Sequence, residues 1–182
     1  MDSDGGMASE LRVYTIGHST HSLDSFASLL KRYEIDVLVD VRSCPYSRHV
    51  PQFNADNLRE FLAAIGIRYV FLGDALGGRP RDRELYDEHG HIVYARIARR
   101  PAFRRGLSKL EKQAETCRVA VLCSEEDPVH CHRRLLVGNA LMEQGIKVTH
   151  IRGDGRLQTE EALMGSEKHT DSSMRQLKLL DV

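Results

Sequence analysis

The stretch from Ile35 to Val41 is an almost uninterrupted run of branched apolar residues, and it restricts the fold more than any other part of the sequence. Such a run is typical of a strand that is covered on both faces, as strands are in a parallel sheet. Four more runs predict strands, at Leu11–Ile16, Ile67–Leu72, Arg118–Cys123 and Ile146–Ile151. Helical patterns separate the five runs, which favours an α/β fold with a mostly parallel sheet of about five strands and helices on both faces.

The helical patterns carry recognisable start and stop signals. Ser22 is placed to cap the first helix, and Asn54 is placed to cap the second. Residues 91–116 predict two helices divided at Pro101, because proline interrupts a helix but is accepted in its first turn. The last helix is predicted to run from Cys131 to Gln144.

These elements predict a single three-layer α/β domain over residues 11–152. Residues 1–10 are predicted to be a flexible segment. Residues 153–182 are predicted to be a polar tail, in which Thr159–Glu161 begins a short helix. Residues 73–90 predict a long irregular segment, and segments of that length inside a domain are usually functional or mobile.

Composition excludes several classes of protein. The chain has 26 basic and 26 acidic residues, and this balance argues against a dedicated duplex-binding protein. It contains no run of about 18 apolar residues, so no membrane span is expected. The polar N-terminus lacks the apolar core of a secretory signal, which makes the cytoplasm the expected location. In that compartment the four cysteines are expected to be thiols.

Polar residues follow three of the predicted strands at their carboxyl ends. They lie at Gly17–Ser19, Asp40–Ser43 and Cys123–Glu125. Because the carboxyl ends of parallel strands share one edge of a sheet, these groups are expected to meet in a cleft there. A helix that starts beside them adds backbone N–H groups that favour an anion. The sequence therefore predicts one site for nucleophilic or acid–base chemistry.

The cysteines of this edge support two hypotheses. Cys131 begins a helix beside His132 and Arg133, which is expected to lower the pKa of its thiol and make it a nucleophile. The alternative is that Cys131 is a small buried residue that packs the start of the helix. Cys123, His130, Cys131 and His132 also offer ligands suited to zinc or iron, although adjacent residues rarely bind one ion and no CxxC pair is present.

The charged residues near this edge also have alternative roles. Glu125 can serve catalysis or only order its loop. Asp40 and Arg42 share one face of their strand and can form a structural ion pair or bind a polar ligand. Residues 79–105 contain eight arginines and four acids, which can attract phosphate or single-stranded nucleic acid, or form a solvated helix face. Arg79 is singled out, because it follows two glycines in the long irregular segment.

Four blocks resemble the signature blocks of a known family. TIGHS lies at Thr15–Ser19, VDVRSCPYS at Val39–Ser47, FLGDALGGRP at Phe71–Pro80 and LCSEEDPVHCHR at Leu122–Arg133. The chain is similar over about residues 11–152 to the family called domain of unknown function 488. The resemblance implies an α/β fold with these blocks on loops around a shared site. Its signature residues here are His18, Ser19, Asp40, Arg42, Ser43, Pro45, Ser47, Gly77, Gly78, Cys123, Glu125, Cys131, His132 and Arg133.

The leading hypothesis is an enzyme that acts on a small anionic or phosphate-bearing ligand related to nucleotides or nucleic acids. The alternative is a metal-binding or nucleotide-binding module without catalysis. The predicted catalytic residues are Cys123, Cys131, Glu125 and His18, with Asp40 as a further group for proton transfer. The predicted substrate-binding residues are Ser19, Asp40, Arg42, Ser43, Ser47, Gly77, Gly78, Arg79, His132 and Arg133.

Overall fold

A computed structural model describes residues 10–165, and in these the chain forms one six-stranded sheet. The strands are β1 (Arg12–Gly17), β2 (Val37–Asp40), β3 (Arg68–Phe71), β4 (Val119–Cys123), β5 (Lys147–Ile151) and β6 (Leu157–Thr159). The sheet order is β3-β2-β4-β1-β5-β6. The first five strands are parallel, and only β6 is antiparallel, to β5. The predicted α/β class and mostly parallel sheet are confirmed, and β6 is an additional strand.

Six α-helices connect the strands. They are α1 (Leu23–Arg32), α2 (Ala55–Ala64), α3 (Gly73–Leu76), α4 (Tyr94–Ala98), α5 (Pro101–Ala114) and α6 (Asn139–Glu143). A π-helix, Arg133–Gly138, runs directly into α6, where a single long α-helix was predicted. Short 3₁₀-helices lie at Pro51–Phe53 and Arg83–Leu85, and residues 160–165 are also helical.

The sequence signals for helix starts are confirmed at Ser22 and Pro101 but not at Asn54. The Ser22 side chain caps α1 by accepting a hydrogen bond from the N–H of Ser25 at 3.2 Å, as predicted. Pro101 begins α5, so the predicted division at this proline is confirmed. Asn54 precedes α2, but its side chain makes no capping hydrogen bond. It instead accepts a hydrogen bond from the backbone N–H of Ser47 at 2.7 Å, and this bond holds the preceding loop.

The sheet is covered on both faces, and β2 shows why its sequence is apolar throughout. All four of its residues are buried. Val37 and Val39 pack on one face against residues of α3 to α6, whereas Leu38 packs on the other face against α1 and α2. Alternating side chains of a strand point to opposite faces, so a strand between two helical layers requires apolar residues at consecutive positions.

The sheet continues past residue 152, where the domain was predicted to end. β6 pairs with β5, and the helical residues 160–165 follow it. The helix predicted to begin at Thr159–Glu161 thus lies directly after β6. The Glu160 carboxylate is buried against His150 and Arg134. The predicted flexible segment 1–10, apart from residue 10, and the end of the tail lie outside the described residues.

The order of the strands creates a crevice at the carboxyl end of β4. From β1 and β2 the chain proceeds to α1 and α2 on one face, whereas from the intervening β4 it proceeds to the π-helix on the opposite face. Loops that diverge in this way leave a gap, and ligands of α/β proteins bind at such points. Within residues 10–165, no helix is both long enough and apolar enough to span a membrane.

Candidate functional site

A cleft of about 680 Å³ lies at the carboxyl end of β4. Its walls come from the loops after β2 and β4 and from the segment after α3. Eight of the predicted site residues line it: Arg42, Ser43, Gly78, Arg79, Cys123, Glu125, Cys131 and His132. The other six support its walls and do not line it: His18, Ser19, Asp40, Ser47, Gly77 and Arg133.

Two thiols and an imidazole lie together in the wall of the cleft. Cys123 ends β4, and Cys131 lies just before the π-helix. Both cysteines are buried. Their sulfur atoms and a ring nitrogen of His132 all lie within 4.8 Å of one another. A polar group of this kind beside a cleft is suited to nucleophilic chemistry or to binding a metal ion.

The His132 ring is held in one orientation from three sides. Its Nδ1 lies 3.6 Å from Sγ of Cys123. Its Nε2 donates a hydrogen bond to the carbonyl oxygen of Val41 at 3.0 Å. The backbone of Gly78 packs on the ring, since a Cβ at that position would lie 2.4 Å from Cγ of His132. Glycine is therefore required at position 78 for this approach.

The hydrogen bonds favour the thiolate at Cys123 and the neutral thiol at Cys131. The Cys131 thiol, His132 and the backbone N–H of Glu125 donate to Cys123, which lowers the pKa of Cys123 far below its usual range despite burial. The same hydrogen bond raises the pKa of Cys131, and burial raises it further. Burial alone would lower the pKa of His132, but the Cys123 sulfur raises it overall. The prediction of a lowered pKa at Cys131 is wrong, since Cys123 is the activated thiol.

Arg133 lies beneath the loop that follows β4 and is fully buried. Its guanidinium donates to the carbonyl oxygens of Glu125 and Glu126, the latter at 2.6 Å, and to Oγ1 of Thr15 at 3.2 Å. Gly17 allows this arrangement, because a Cβ there would overlap the Glu125 carbonyl. The predicted role of Arg133 in holding an anion does not fit this position. It holds the loop instead.

Backbone N–H groups at the start of this helix also have hydrogen-bond partners within the protein. The N–H of Cys131 donates to the carbonyl of Pro128 at 3.1 Å. The N–H of Arg133 donates to the Cys131 sulfur. The predicted use of this helix start as an anion site therefore has little support among the described contacts.

Arg42 joins the cleft to a buried polar network. Its guanidinium pairs with the fully buried Asp40 at 2.5 Å and donates to the carbonyl of Phe53 at 2.9 Å. Burial would lower the pKa of Arg42, but the Asp40 carboxylate raises it overall. Tyr69 also donates to Asp40, at 2.7 Å. Asp40 and Arg42 thus form the structural ion pair that was one of the two alternatives, while Arg42 still reaches the cleft wall.

His18 is part of the same network. Its Nδ1 donates to the carbonyl of Ser19 at 2.8 Å, and its Nε2 lies 3.1 Å from Nη1 of Arg42 and accepts from it. The ring stacks on Phe53 with 4.4 Å between ring centroids. Burial lowers the pKa of His18, and the Arg42 charge lowers it further, which keeps the ring neutral. Both ring nitrogens are used, so His18 positions Arg42.

Four other predicted residues organise the loops around the cleft. Ser19 donates its backbone N–H to the carbonyl of Ser124 at 2.9 Å, which joins the loops after β1 and β4. Ser43 Oγ accepts the N–H of Arg79 at 2.9 Å. Gly77 packs against Ser43, since a Cβ there would lie 2.4 Å from its Oγ. Ser47 Oγ accepts two backbone N–H groups of its own loop.

Glu125 contributes through both its backbone and its side chain. Its carbonyl accepts from Arg133, and its N–H donates to Cys123. The residue is exposed and lines the cleft. The neighbouring Glu126 instead pairs with Arg152 at 2.7 Å and orders the loop.

The cleft contains residues that the sequence analysis did not single out. Tyr94 begins α4 and lines the cleft, and burial together with the two thiols raises the pKa of its phenol. Arg81 lines the cleft beside Arg79. Both arginines are exposed, and their guanidinium groups form no hydrogen bond or ion pair with another residue of the described range 10–165. Arg81 could have been predicted from the sequence Arg79-Pro80-Arg81, because it lies two residues after the arginine that was singled out.

Comparison with known proteins agrees with this arrangement at the level of family. The profile of the domain of unknown function DUF488 matches residues 22–140, which contain every residue that lines the cleft. Searches of curated proteins and of solved structures give no match. The matched segment is more than half of the chain, and the chain therefore belongs to the DUF488 family.

Proposed function

We propose that the protein is an enzyme in which the Cys123 thiolate reacts with a small anionic ligand. The observation that carries the proposal is the Cys123–His132 pair in the wall of a cleft that also presents Arg79 and Arg81. A thiolate is the nucleophilic form of cysteine, and an adjacent imidazolium maintains it at neutral pH. The volume of the cleft, about 680 Å³, lies in the range of small-molecule sites.

The two arginines supply the preference for an anion. Exposed guanidinium groups without protein partners are available for a carboxylate or phosphate, and guanidinium binds both with paired hydrogen bonds. Arg42 adds a third guanidinium at the wall, although Asp40 balances its charge. A nucleotide or a nucleic-acid end is the phosphate-bearing ligand that suits this set. Glu125 is the exposed carboxylate that transfers protons in this proposal. The reducing cytoplasm is the compartment that keeps such thiols free.

The test compares a charged with a neutral alkylating reagent. Iodoacetate and iodoacetamide are applied to the full chain, and the rate at Cys123 is followed by peptide mass mapping. Relative to free cysteine, we expect Cys123 to prefer iodoacetate about tenfold, because the arginines attract its carboxylate. Arg79→Ala with Arg81→Ala should remove the preference.

Arg105→Ala is the matched control, since this exposed arginine on α5 does not line the cleft. The control should keep the preference of the wild-type protein. A Cys123 that neither reagent modifies in the folded protein would contradict the proposed thiolate. A ratio of the iodoacetate rate to the iodoacetamide rate equal to that of free cysteine would contradict the proposed anion site.

A second candidate function is a metal centre formed by Cys123, Cys131 and His132. The 3.6 Å between Sγ of Cys123 and Nδ1 of His132 is close to the separation of two ligands about 2.3 and 2.0 Å from a tetrahedral zinc ion. The hydrogen bond from Nε2 to Val41 is the type that orients a metal-binding histidine. Near-stoichiometric zinc or iron in protein purified without an affinity tag, lost in Cys123→Ala, would favour this function over the thiolate.

A further inference from the structure

The four cysteines fall into two classes by position. Cys123 and Cys131 are buried side by side in the cleft wall, with sulfur atoms within 4.8 Å. Cys44 is exposed at the cleft rim. Cys117 precedes β4 at the opposite end of that strand, where its sulfur lies 3.5 Å from Nη2 of Arg68. The structure thus places the first two thiols close enough to react with each other.

We propose that Cys123 and Cys131 form a reversible disulfide during thiol–disulfide exchange with a small disulfide that carries carboxylate groups. This inference rests on the proposed function, because it uses the same Cys123 thiolate and the same arginines. The structure gives the two cysteines different contacts. Cys123 accepts hydrogen bonds from His132 and from the backbone of Glu125, so it is the attacking sulfur. The Cys131 sulfur lies within 4.8 Å of the Cys123 sulfur, so it is positioned as the resolving thiol.

The reaction has two balanced steps. The Cys123 thiolate attacks one sulfur of the substrate disulfide, which forms a mixed disulfide and releases the other half of the substrate as a thiolate. Cys131 then loses its proton to that thiolate and attacks Sγ of Cys123. The second half of the substrate leaves as a thiolate, and the protein retains a Cys123–Cys131 disulfide. The substrate gains two electrons and the protein loses two, and an external dithiol restores the protein by the reverse exchange.

The substrate class follows from the charges at the cleft. A disulfide with a carboxylate on each half presents anions on both sides of the reacting bond. Arg79, Arg81 and both cysteines line the same cleft. A carboxylate bound by the arginines holds the sulfur–sulfur bond near Cys123. Closure of the protein disulfide requires the sulfur atoms to approach to about 2.05 Å, which involves the loop 124–130 between the two cysteines.

The experiment uses 5,5′-dithiobis(2-nitrobenzoate), an aromatic disulfide with two carboxylates. The starting protein is the full chain with Cys44→Ser and Cys117→Ser, which leaves only the two cleft thiols. After reaction with one equivalent, intact mass and peptide mapping identify the product. We expect a protein that has lost two hydrogens, carries no aromatic adduct and contains a Cys123–Cys131 disulfide. Adding Cys131→Ser should stop the reaction at an aromatic adduct on Cys123, because the serine hydroxyl donates to Cys123 but cannot resolve the adduct.

The outcomes separate this inference from the proposed function. An adduct that persists on Cys123 while Cys131 is intact would overturn the resolving role and leave the thiolate enzyme in place. A Cys123 that does not react with the probe would overturn both. Arg79→Ala with Arg81→Ala should slow formation of the disulfide about tenfold, and an unchanged rate would overturn the assignment of carboxylate-bearing substrates.

Discussion

Cys123 is the residue on which the proposed chemistry of the cleft depends, and its titration gives a direct measurement. Three donors surround its sulfur: the Cys131 thiol, the His132 ring and the backbone N–H of Glu125. These lower the pKa of Cys123, so the thiolate is present above that lowered pKa and is lost only as the pH falls through it. The alkylation rate at Cys123 should therefore stay nearly constant where the rate of free cysteine, with a pKa of about 8.5, falls steeply with decreasing pH.

His132→Gln should move the alkylation profile of Cys123 to higher pH, because glutamine supplies no positive charge. The measurement is the rate of iodoacetamide labelling at Cys123 as a function of pH, with the free amino acid as reference. Tyr94 and the exposed Arg79 also face the thiols, so both should be kept in this variant. A wild-type profile that coincides with that of free cysteine would contradict the thiolate–imidazolium pair.

The sequence predicted which residues lie together at the cleft more accurately than it predicted the role of each one. Sequence patterns favoured Cys131 because it stands at a helix start beside His132 and Arg133. The structure gives the lowered pKa to Cys123, because the loop returns Cys131 and His132 onto it as donors. It also turns Arg133 away from the cleft and beneath the loop. Side-chain direction in a loop depends on tertiary contacts that spacing along the chain does not encode.

The segment after α3 supports the reactive pair as an element, and Gly78 is its point of contact. A Cβ at residue 78 would lie 2.4 Å from Cγ of His132, so Gly78→Ala must displace either the ring or the segment. We expect the labelling rate at Cys123 to fall and the free energy of unfolding to decrease by about 1–3 kcal/mol, as for overpacking elsewhere. Iodoacetamide labelling and urea denaturation measure the two effects.

Gly165→Ala provides the matched control for Gly78→Ala. A Cβ at Gly165 meets no heavy atom of residues 10–165 within 4 Å, so this variant should label at the wild-type rate. If Gly78→Ala labelled as fast as the control, the packing of the segment on His132 would not be needed to hold the pair.

Strands and helices whose sequences have a strong hydrophobic pattern were predicted correctly. Elements that depend on contacts with the rest of the fold were not. The parallel strands β1, β2, β4 and β5 are largely buried and apolar, so their sequences identify them, whereas the edge strand β3 is only partly buried. β6 has three residues, Leu157, Gln158 and Thr159, and it exists because β5 offers it a free edge. The π-helix Arg133–Gly138 likewise depends on how its buried arginines are accommodated, which helical periodicity does not distinguish from an α-helix.

At the scale of the whole molecule, sheet topology was the reason that the cleft could be located from sequence. The five parallel strands place the polar residues after β1, β2 and β4 at one edge, whatever the details of their loops. The pattern could not show that a buried network connects the cleft wall to the last elements of the domain. Arg133 donates to Thr15, and Thr15 donates to Nδ1 of His150 at 2.7 Å. His150 donates to Glu160 at 2.8 Å, and Arg134 donates to the other carboxylate oxygen at 2.9 Å.

This network predicts how the stability of the molecule depends on pH. Burial raises the pKa of Glu160, but His150 and Arg134 lower it overall, so its stabilisation is complete above the unfolded value of about 4.3 and is lost as the pH falls through the folded value. Burial lowers the pKa of His150, so below about pH 6.5 the unfolded state binds more protons and stability falls in the same direction. Glu160→Gln should reduce the free energy of unfolding at pH 7 by about 3 kcal/mol, because it removes the buried carboxylate charge that His150 and Arg134 share.

Urea denaturation of wild type and Glu160→Gln across this pH range measures the effect, and the difference between them should shrink as the pH falls and Glu160 becomes protonated. Glu161→Gln is the matched control, because its carboxylate is exposed one residue further along and its removal should leave the urea midpoint unchanged. Because Arg133 links the network to the loop after β4, Glu160→Gln should also slow labelling at Cys123. A variant with wild-type stability at neutral pH would show that β6 and residues 160–165 are held to the sheet without this carboxylate.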